Sequence, residues 1–350
     1  LALAVTGAVA TFAVGGGWIV RERREREEVA RIERGLDEVR SQVSDLQGEG
    51  RTEEAAQAAR SALLLVEGRG GEDALRASAE ALVAQAEQRE SEARLERVRA
   101  ARDAKLLRRL DELRLEASVP LSVEEHVVLD EAFDRAFREW GLHVDADLLA
   151  SLEHLRASGL EAELAPALDD WAAVRRWAYG WRSPQADQLN ALAVDLDPDE
   201  VRVRLREALI ERDAPTVMEI ATDARVEDLP ASTLWVLGSA LRSARQTELS
   251  LSLLQRAAAR HPTDLRLRIA AMASARDLDR WEVAARHIGV AAAMRPDLLE
   301  LSVFEADCLS RTSRYPAAVR ALERVLDEAP DNERALADLC WCLFSLGEFA

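Results

Sequence analysis

Three prolines recur at a fixed interval in the C-terminal third of this chain. Pro262, Pro296 and Pro330 are separated by 34 residues, and each opens a short polar segment, "PTD", "PDL" or "PDN", that precedes a predicted helix. Because proline cannot continue a helix, each one marks a break between helices. A fixed period of this length is typical of a solenoid, in which each unit buries its apolar face only against its neighbours. The interval therefore predicts a stack of short helical hairpins.

The rest of the chain is also predicted to be helical. Ala, Leu, Glu and Arg dominate the sequence, and all four favour helices. No segment alternates apolar and polar residues between turn residues, as a half-buried strand would. We therefore expect an all-α fold.

The residues between the prolines keep one register. In the unit 231–264 the small and apolar positions are Leu234, Leu237, Gly238, Leu241, Ser250, Leu254, Ala257 and Pro262. This pattern resembles the tetratricopeptide repeat (TPR), which implies two antiparallel helices in 34 residues. Units 265–298 and 299–332 follow, although Met272 stands where the family has a small residue. A degenerate unit spans 199–230, so we assign 197–350 to a TPR solenoid. The last unit begins at Glu333, and we expect it to be truncated at Ala350.

The TPR resemblance implies a groove lined by the first helix of each hairpin. Such a groove would take a protein or peptide ligand, for which arginine and aromatic side chains make strong contacts. The lysine and asparagine that some family members use to hold a terminal carboxylate are absent here. The residues that we expect to face the groove are Trp235, Arg242, Arg266, Ile269, Arg276, Val303, Arg311, Arg334, Trp341 and Phe344.

The first twenty residues are uncharged, and "RERRERE" follows them at once. A helix of this length spans the ~30 Å core of a bilayer, and Trp18 stands where an interfacial aromatic residue belongs. A signal peptide is the alternative, but it would need a basic segment before the apolar one. We predict a transmembrane helix over 1–20, and hence a single-pass cell membrane protein. The side of the membrane that residues 21–350 face stays open.

A charged helical stalk is predicted over 21–117. Val29, Ile32, Leu36, Val39, Val43 and Leu46 form an apolar seam with coiled-coil spacing. The seam could pair two chains as a homodimer or pack against the next helix of its own chain. It is shorter than the three or four heptads typical of a coiled coil, which favours the hairpin.

A helical linker domain is predicted over 118–196. Ser122 and Glu125 have the spacing of a capping box, and Gly141 is suited to end the helix that follows. Trp171, Trp177 and Trp181 recur at helical spacings, which favours packing between helices over a cofactor site.

No group of residues predicts chemistry. Lys105 is the only lysine, and it lies in a predicted helix without a glycine-rich loop, which excludes a P-loop or a kinase active site within these residues. The five histidines and three cysteines show no metal-binding spacing. We therefore predict no catalytic residue, no metal site and no cofactor. A net charge of −18 opposes contact with phosphate backbones, so we expect no nucleic-acid partner.

The order of the parts, together with "LDDWA" at 168–172, resembles the C-terminal half of planctomycete-type bacterial serine/threonine protein kinases. That resemblance implies a kinase domain before Leu1, with this chain as its sensor and regulatory half. The alternative is a membrane-tethered TPR adaptor that assembles envelope or signalling complexes and carries no enzyme.

Overall fold

The computed structural model describes residues 2–67, 73–118, 122–144, 147–223 and 225–347, and for residues 2–20 it describes the backbone alone. All the regular structure in these ranges is helical, apart from turns, in agreement with the all-α prediction. Two compact units divide the chain, Leu1–Asp103 and Ala104–Ala350.

The first unit contains three helices, the third of which continues past its end. Ile32, Leu36 and Val43 of the seam are buried against an alanine-rich face of the second helix, in particular Ala59 and Ala62. Alanine on that face lets the two helices approach closely. The seam is thus covered within one chain, as in the hairpin alternative. The helices are α1 (Ala2–Gly48), α2 (Thr52–Val66) and α3 (Asp73–Glu116).

The predicted membrane helix lies outside the part of the chain whose side chains are described. Among the described residues, no helix is both long enough and apolar enough to span a bilayer. The transmembrane helix over 1–20 therefore stays a prediction.

The second unit begins within α3, before the stalk boundary predicted at 117. Leu106, Leu110 and Leu113 recur at three- and four-residue spacings and join a core with Phe137 and Trp171. Residues 104–116 of α3 therefore belong to the second unit. The helices of the predicted linker domain are α4 (Val123–Trp140), α5 (Leu148–Arg156), α6 (Glu161–Tyr179) and α7 (Pro184–Leu196).

The predicted helix ends of this domain are observed. The Ser122 hydroxyl accepts from the backbone of Glu125, whose carboxylate in turn accepts from the backbone of Ser122, which completes the capping box. Gly141 ends α4 with a left-handed φ of 107°.

The remaining helices form successive hairpins around one continuous core that runs from Leu205 to Cys342. Each helix packs mainly on the helices before and after it, as expected for a solenoid. The helices are α8 (Glu200–Glu211), α9 (Ala214–Thr222), α10 (Ala231–Ser243), α11 (Thr247–Arg260), α12 (Leu265–Asp277), α13 (Trp281–Met294), α14 (Leu299–Arg311), α15 (Tyr315–Glu328) and α16 (Glu333–Leu346), with a 3₁₀ turn at Val226–Asp228.

Candidate interaction groove

The 34-residue proline period determines where the hairpins that form the groove begin. First helices begin at Ala231, Leu265, Leu299 and Glu333, which is the predicted register. The polar residues after two of the prolines cap the next helix: Asp264 accepts from the backbone of Leu267, and Asn332 accepts from that of Ala335.

A close approach holds the first hairpin together. A Cβ placed on Gly238 would lie 2.6 Å from a methyl carbon of Leu254, so only glycine fits against this leucine. The Ser250 hydroxyl donates to the Gly238 carbonyl at 2.8 Å and lies 3.0 Å from the hydroxyl of Ser274 on the next hairpin. In the second hairpin Met272 takes the position of Gly238 and is fully buried, so the larger side chain is accommodated in the core.

The turns inside the hairpins share a feature that the sequence analysis did not predict. Arg212, Arg245, Asp279 and Ser313 all adopt left-handed conformations, with φ between 55° and 62°. Each lies between the two helices of a hairpin. Their regular spacing could have indicated these turns. None of the four is glycine, however, which is the residue that usually marks a left-handed turn.

Three of the ten groove candidates lie in the core. Trp235, Ile269 and Val303 are 5%, 0% and 2% exposed. They occupy equivalent positions of α10, α12 and α14, where neighbouring hairpins cover them. These side chains therefore stabilise the stack and are not accessible to a ligand in this structure.

Two further candidates are held by partners within the chain. Arg242 pairs with Asp277 at 2.5 Å, and its guanidinium lies 5.4 Å from the ring centre of Trp177 on α6. Arg266 pairs with Asp170 at 3.1 Å and with Asp264 at 3.5 Å.

The other five candidates remain accessible. Trp341 and Phe344 are 60% and 66% exposed, with ring centres 6.3 Å apart. Arg311 is exposed and lies 3.6 Å from Asp307. Arg276 is half-buried and Arg334 is exposed, and both lie near one aromatic ring.

Arg276 and Arg334 flank Phe304. Their guanidinium carbons lie 5.7 Å and 4.5 Å from the ring centre, within the range of cation–π attraction. Neither forms an ion pair with any residue that the structure describes, and the Arg276 Nε is buried without a hydrogen-bond partner. Three consecutive first helices, α12, α14 and α16, thus present two guanidinium groups that have no ion-pair partner in the described ranges.

The electrostatics of this face also involve α4 and α6, which the sequence analysis did not connect to it. The ring of His126 stacks on Trp177 at 6.0 Å, on the same indole that Arg242 contacts. Burial, and then the charge of Arg242, lower the pKa of His126. Burial raises the pKa of Asp338 on α16, despite the nearby charge of Arg334.

The motif "LDDWA" forms a buried junction between the linker domain and the hairpins. Asp170 is 1% exposed and accepts from both Arg114 on α3 and Arg266 on α12. Asp169 receives a bidentate interaction from Arg206 on α8, at 3.0 and 2.8 Å. Asp170 is separated by 56 residues from Arg114 and by 96 residues from Arg266, so no local sequence pattern predicts these pairs.

Trp171 completes the motif. Its indole N–H donates to Asp130 at 2.5 Å, and the guanidinium of Arg175 lies 4.4 Å from its ring centre. The ring also stacks on Phe137 at 5.2 Å. The tryptophan thus packs between α4 and α6, as the sequence predicts.

Two of the three cysteine thiols are buried. Burial raises the pKa of Cys308 to about 12, so this thiol stays protonated. Cys340 is exposed, whereas Cys342 is buried. Within the described ranges, no three potential ligands are grouped to hold a metal ion.

Residues 309–350 match the family model of the tetratricopeptide repeat. No curated protein matches the chain. Among solved structures, the chain is similar to YrrB, a TPR protein with an unusual peptide-binding site, with 15% identity and a TM-score of 0.33 over 54% of this chain and 96% of that one.

The chain is also similar to the TPR2AB domain of yeast Sti1 in a complex with pHSP90, with 10% identity and a TM-score of 0.28 over 89% of this chain and 97% of that one. For the TPR domain of P58(IPK), the identity is 12% and the TM-score 0.29, over 89% and 98% of the two chains. The assignment of the repeats rests on the family match and on the hairpins themselves. Residues 309–350 are therefore similar in sequence to a tetratricopeptide repeat, and helical hairpins with the same period extend back to Ala231.

Proposed function

We propose that this chain is a protein-interaction scaffold that binds a peptide segment across α12, α14 and α16. The observation that carries the proposal is the arrangement of Arg276 and Arg334 on either side of Phe304, with no ion-pair partner among the described residues. A peptide carbonyl or carboxylate would supply an acceptor for the exposed guanidinium of Arg334.

Exposed aromatic residues on α16 also favour ligand binding at this face. Trp341 and Phe344 expose more than half of their side chains side by side. Large aromatic residues and arginine dominate the energetics of protein interfaces because they combine apolar area with directed polar contacts. We expect a ligand with an apolar side chain beside an acceptor group.

The test is selection from a displayed peptide library on the full chain, followed by binding measurements on the variant R276Q/R334Q. We expect this double variant to lose the selected peptides and to keep the wild-type urea midpoint. The matched control is R256Q/R260Q on α11, which removes the same charge from arginines that already pair with Glu227 and Asp228. Peptides that bind both double variants equally well would contradict the proposal.

Residues 1–20 are proposed to anchor the scaffold in a membrane as a single-pass protein. The support is the uncharged stretch and its arginine-rich flank. Phe12→Arg would place a charge near the middle of the segment, at a cost of about 3 kcal/mol to insertion. We expect the variant to move from an alkali-resistant membrane fraction to the soluble fraction, and unchanged fractionation would contradict the anchor.

The scaffold is further proposed to be the sensor half of a serine/threonine kinase whose catalytic domain precedes Leu1. The order of the parts and "LDDWA" support this. The test is to sequence the gene upstream, which should encode a glycine-rich loop, a lysine-bearing strand and an H-R-D segment. Their absence would favour the alternative, a membrane-tethered adaptor without an enzyme.

A further inference from the structure

A second charged surface lies on the second helices of the hairpins. A cavity of about 480 Å³ opens between α13 and α15, and Arg286, Arg314, Arg320 and Arg324 line it. We call this cavity the arginine trough. It shares no residue with the ten groove candidates.

Three of its four arginines have no partner in the part of the chain that the structure describes. The side chains of Arg286, Arg314 and Arg320 form no hydrogen bond or ion pair with any residue that the structure describes. Only Arg324 has a carboxylate nearby, that of Glu305 at 3.7 Å.

The neighbouring hairpin shows the contrast. Arg256 and Arg260 on α11, the equivalent helix, pair with Glu227 at 3.1 Å and Asp228 at 2.6 Å. The arginines of α11 are thus neutralised within the chain, whereas Arg286 on α13 and Arg320 on α15 have no such partner among the described residues.

The floor of the trough is small and apolar. Ala285, Ala321 and Leu309 are buried beneath the arginines. Glu305 lies against Gly289, where an added Cβ would come within 3.1 Å of its carboxylate, and Glu282 also lines the cavity. With these two acids set against four arginines, the trough keeps a positive excess.

We propose that the arginine trough binds an acidic peptide segment, independently of the peptide face on α12, α14 and α16. Carboxylate or phosphate groups of the segment pair with Arg286, Arg314 and Arg320, while its apolar side chains lie on the alanine floor. The guanidinium group suits this ligand because its planar fork binds either anion through two parallel hydrogen bonds. The positive excess within an acidic surface also directs an anionic ligand to this site.

The test is fluorescence anisotropy on the full chain with three labelled peptides. The first alternates glutamate with leucine, the second carries phosphoserine at the glutamate positions, and the third carries glutamine there. We expect the two anionic peptides to bind and the glutamine peptide not to bind. The tighter of the two anionic peptides identifies whether carboxylate or phosphate is preferred.

The double variant R286Q/R320Q should weaken the binding of both anionic peptides by about tenfold or more, since it removes two of the three free pairing partners. The matched control R256Q/R260Q removes the same charge from α11 and should leave binding unchanged. Equal urea midpoints for the two variants and the wild-type chain establish that both are folded.

Three results would overturn the inference. One is that neither anionic peptide binds. Another is that R286Q/R320Q and R256Q/R260Q weaken binding equally, which indicates non-specific electrostatic attraction. The third is loss of binding in R276Q/R334Q but not in R286Q/R320Q. That last result would move the acidic peptide to the face on α12, α14 and α16, and so would support the proposed function while overturning the trough.

Discussion

Two groups of arginines in the second unit behave in opposite ways. At the junction around "LDDWA", Arg114, Arg206 and Arg266 are mostly buried, and each is paired with a carboxylate. In the trough, Arg286 and Arg320 are exposed and have no partner in the described part of the chain. The residue type is the same, and burial is what separates the two groups.

The difference shows what each group can contribute. A buried arginine has lost its water and requires a carboxylate, so the pair fixes how helices pack. An exposed arginine keeps its water and contributes little to folding, which leaves it free to bind a ligand. Stability measurements and binding measurements should therefore separate the groups cleanly.

The largest effect is expected at Asp170. Asp170→Asn would remove the buried counter-charge that Arg114 and Arg266 share, at a cost of about 4 kcal/mol. Only the longer contacts, from Arg114 to Asp111 at 3.6 Å and from Arg266 to Asp264 at 3.5 Å, would remain. The measurement is urea denaturation followed by tryptophan fluorescence, which reports on this unit because every tryptophan except Trp18 lies after Ala104. The control is Asp277→Asn, which breaks the more exposed pair with Arg242 and should cost less than about 1 kcal/mol. Equal losses in the two variants would remove the distinction between the groups.

The same substitution at one arginine of each group should give the next largest effect. Arg206 is 2% exposed, and Arg206→Met would remove the arginine that pairs with Asp169, at a cost of about 3 kcal/mol. Asp197 would keep its second arginine, Arg202, at 2.6 Å. Arg286→Met should change the free energy of unfolding by no more than about 0.5 kcal/mol. The same denaturation experiment compares them, and a comparable loss at Arg286 would show that the trough is structural.

Salt should separate the two groups without any mutation. Between about 0.05 M and about 0.5 M NaCl, the affinity of the trough for the glutamate–leucine peptide should fall by about tenfold, because exposed charges are screened. The buried pairs are screened much less, so the urea midpoint should stay nearly constant. Anisotropy and denaturation at each concentration provide the two readings. A midpoint that falls in step with the affinity would argue against this comparison.

The smallest effect concerns His287, which neighbours the trough. Burial, and then the charges of Arg268 and Arg286, lower its pKa to about 4. The unfolded chain therefore binds the proton more tightly, and stability falls as the pH drops from about 6.5 towards 4. Arg286→Gln removes one of these charges, so the pKa of His287 should rise and this loss should become smaller. NMR titration of the imidazole measures the shift, and an unchanged pKa would show that burial alone sets it.

The sequence predicted most of the helices because their signals are local. The proline interval placed the hairpin starts at Ala231, Leu265, Leu299 and Glu333, and the capping box placed the start of α4. Each of these signals depends on residues within one turn or one repeat, where chain geometry leaves few alternatives.

The site was less predictable because its contacts join distant parts of the chain. The TPR resemblance placed Trp235, Ile269 and Val303 in the groove, but the packing of successive hairpins buries them. The pairing of Asp170 with Arg266 and the position of Trp177 beside Arg242 depend on how whole helices pack. Contacts of this kind leave no periodic pattern in the amino-acid sequence.

The left-handed turns within the hairpins have a practical consequence. Arg212, Arg245, Asp279 and Ser313 each hold a backbone conformation that costs an ordinary residue about 1 kcal/mol relative to glycine. Arg212 also pairs with Asp187 at 3.0 Å, so glycine suits the other three positions better. Glycine at one, two or all three of Arg245, Asp279 and Ser313 would therefore raise the melting temperature in steps. Such a series would allow the rigidity of the scaffold to be tuned one step at a time, with the ligand-facing side chains left as they are.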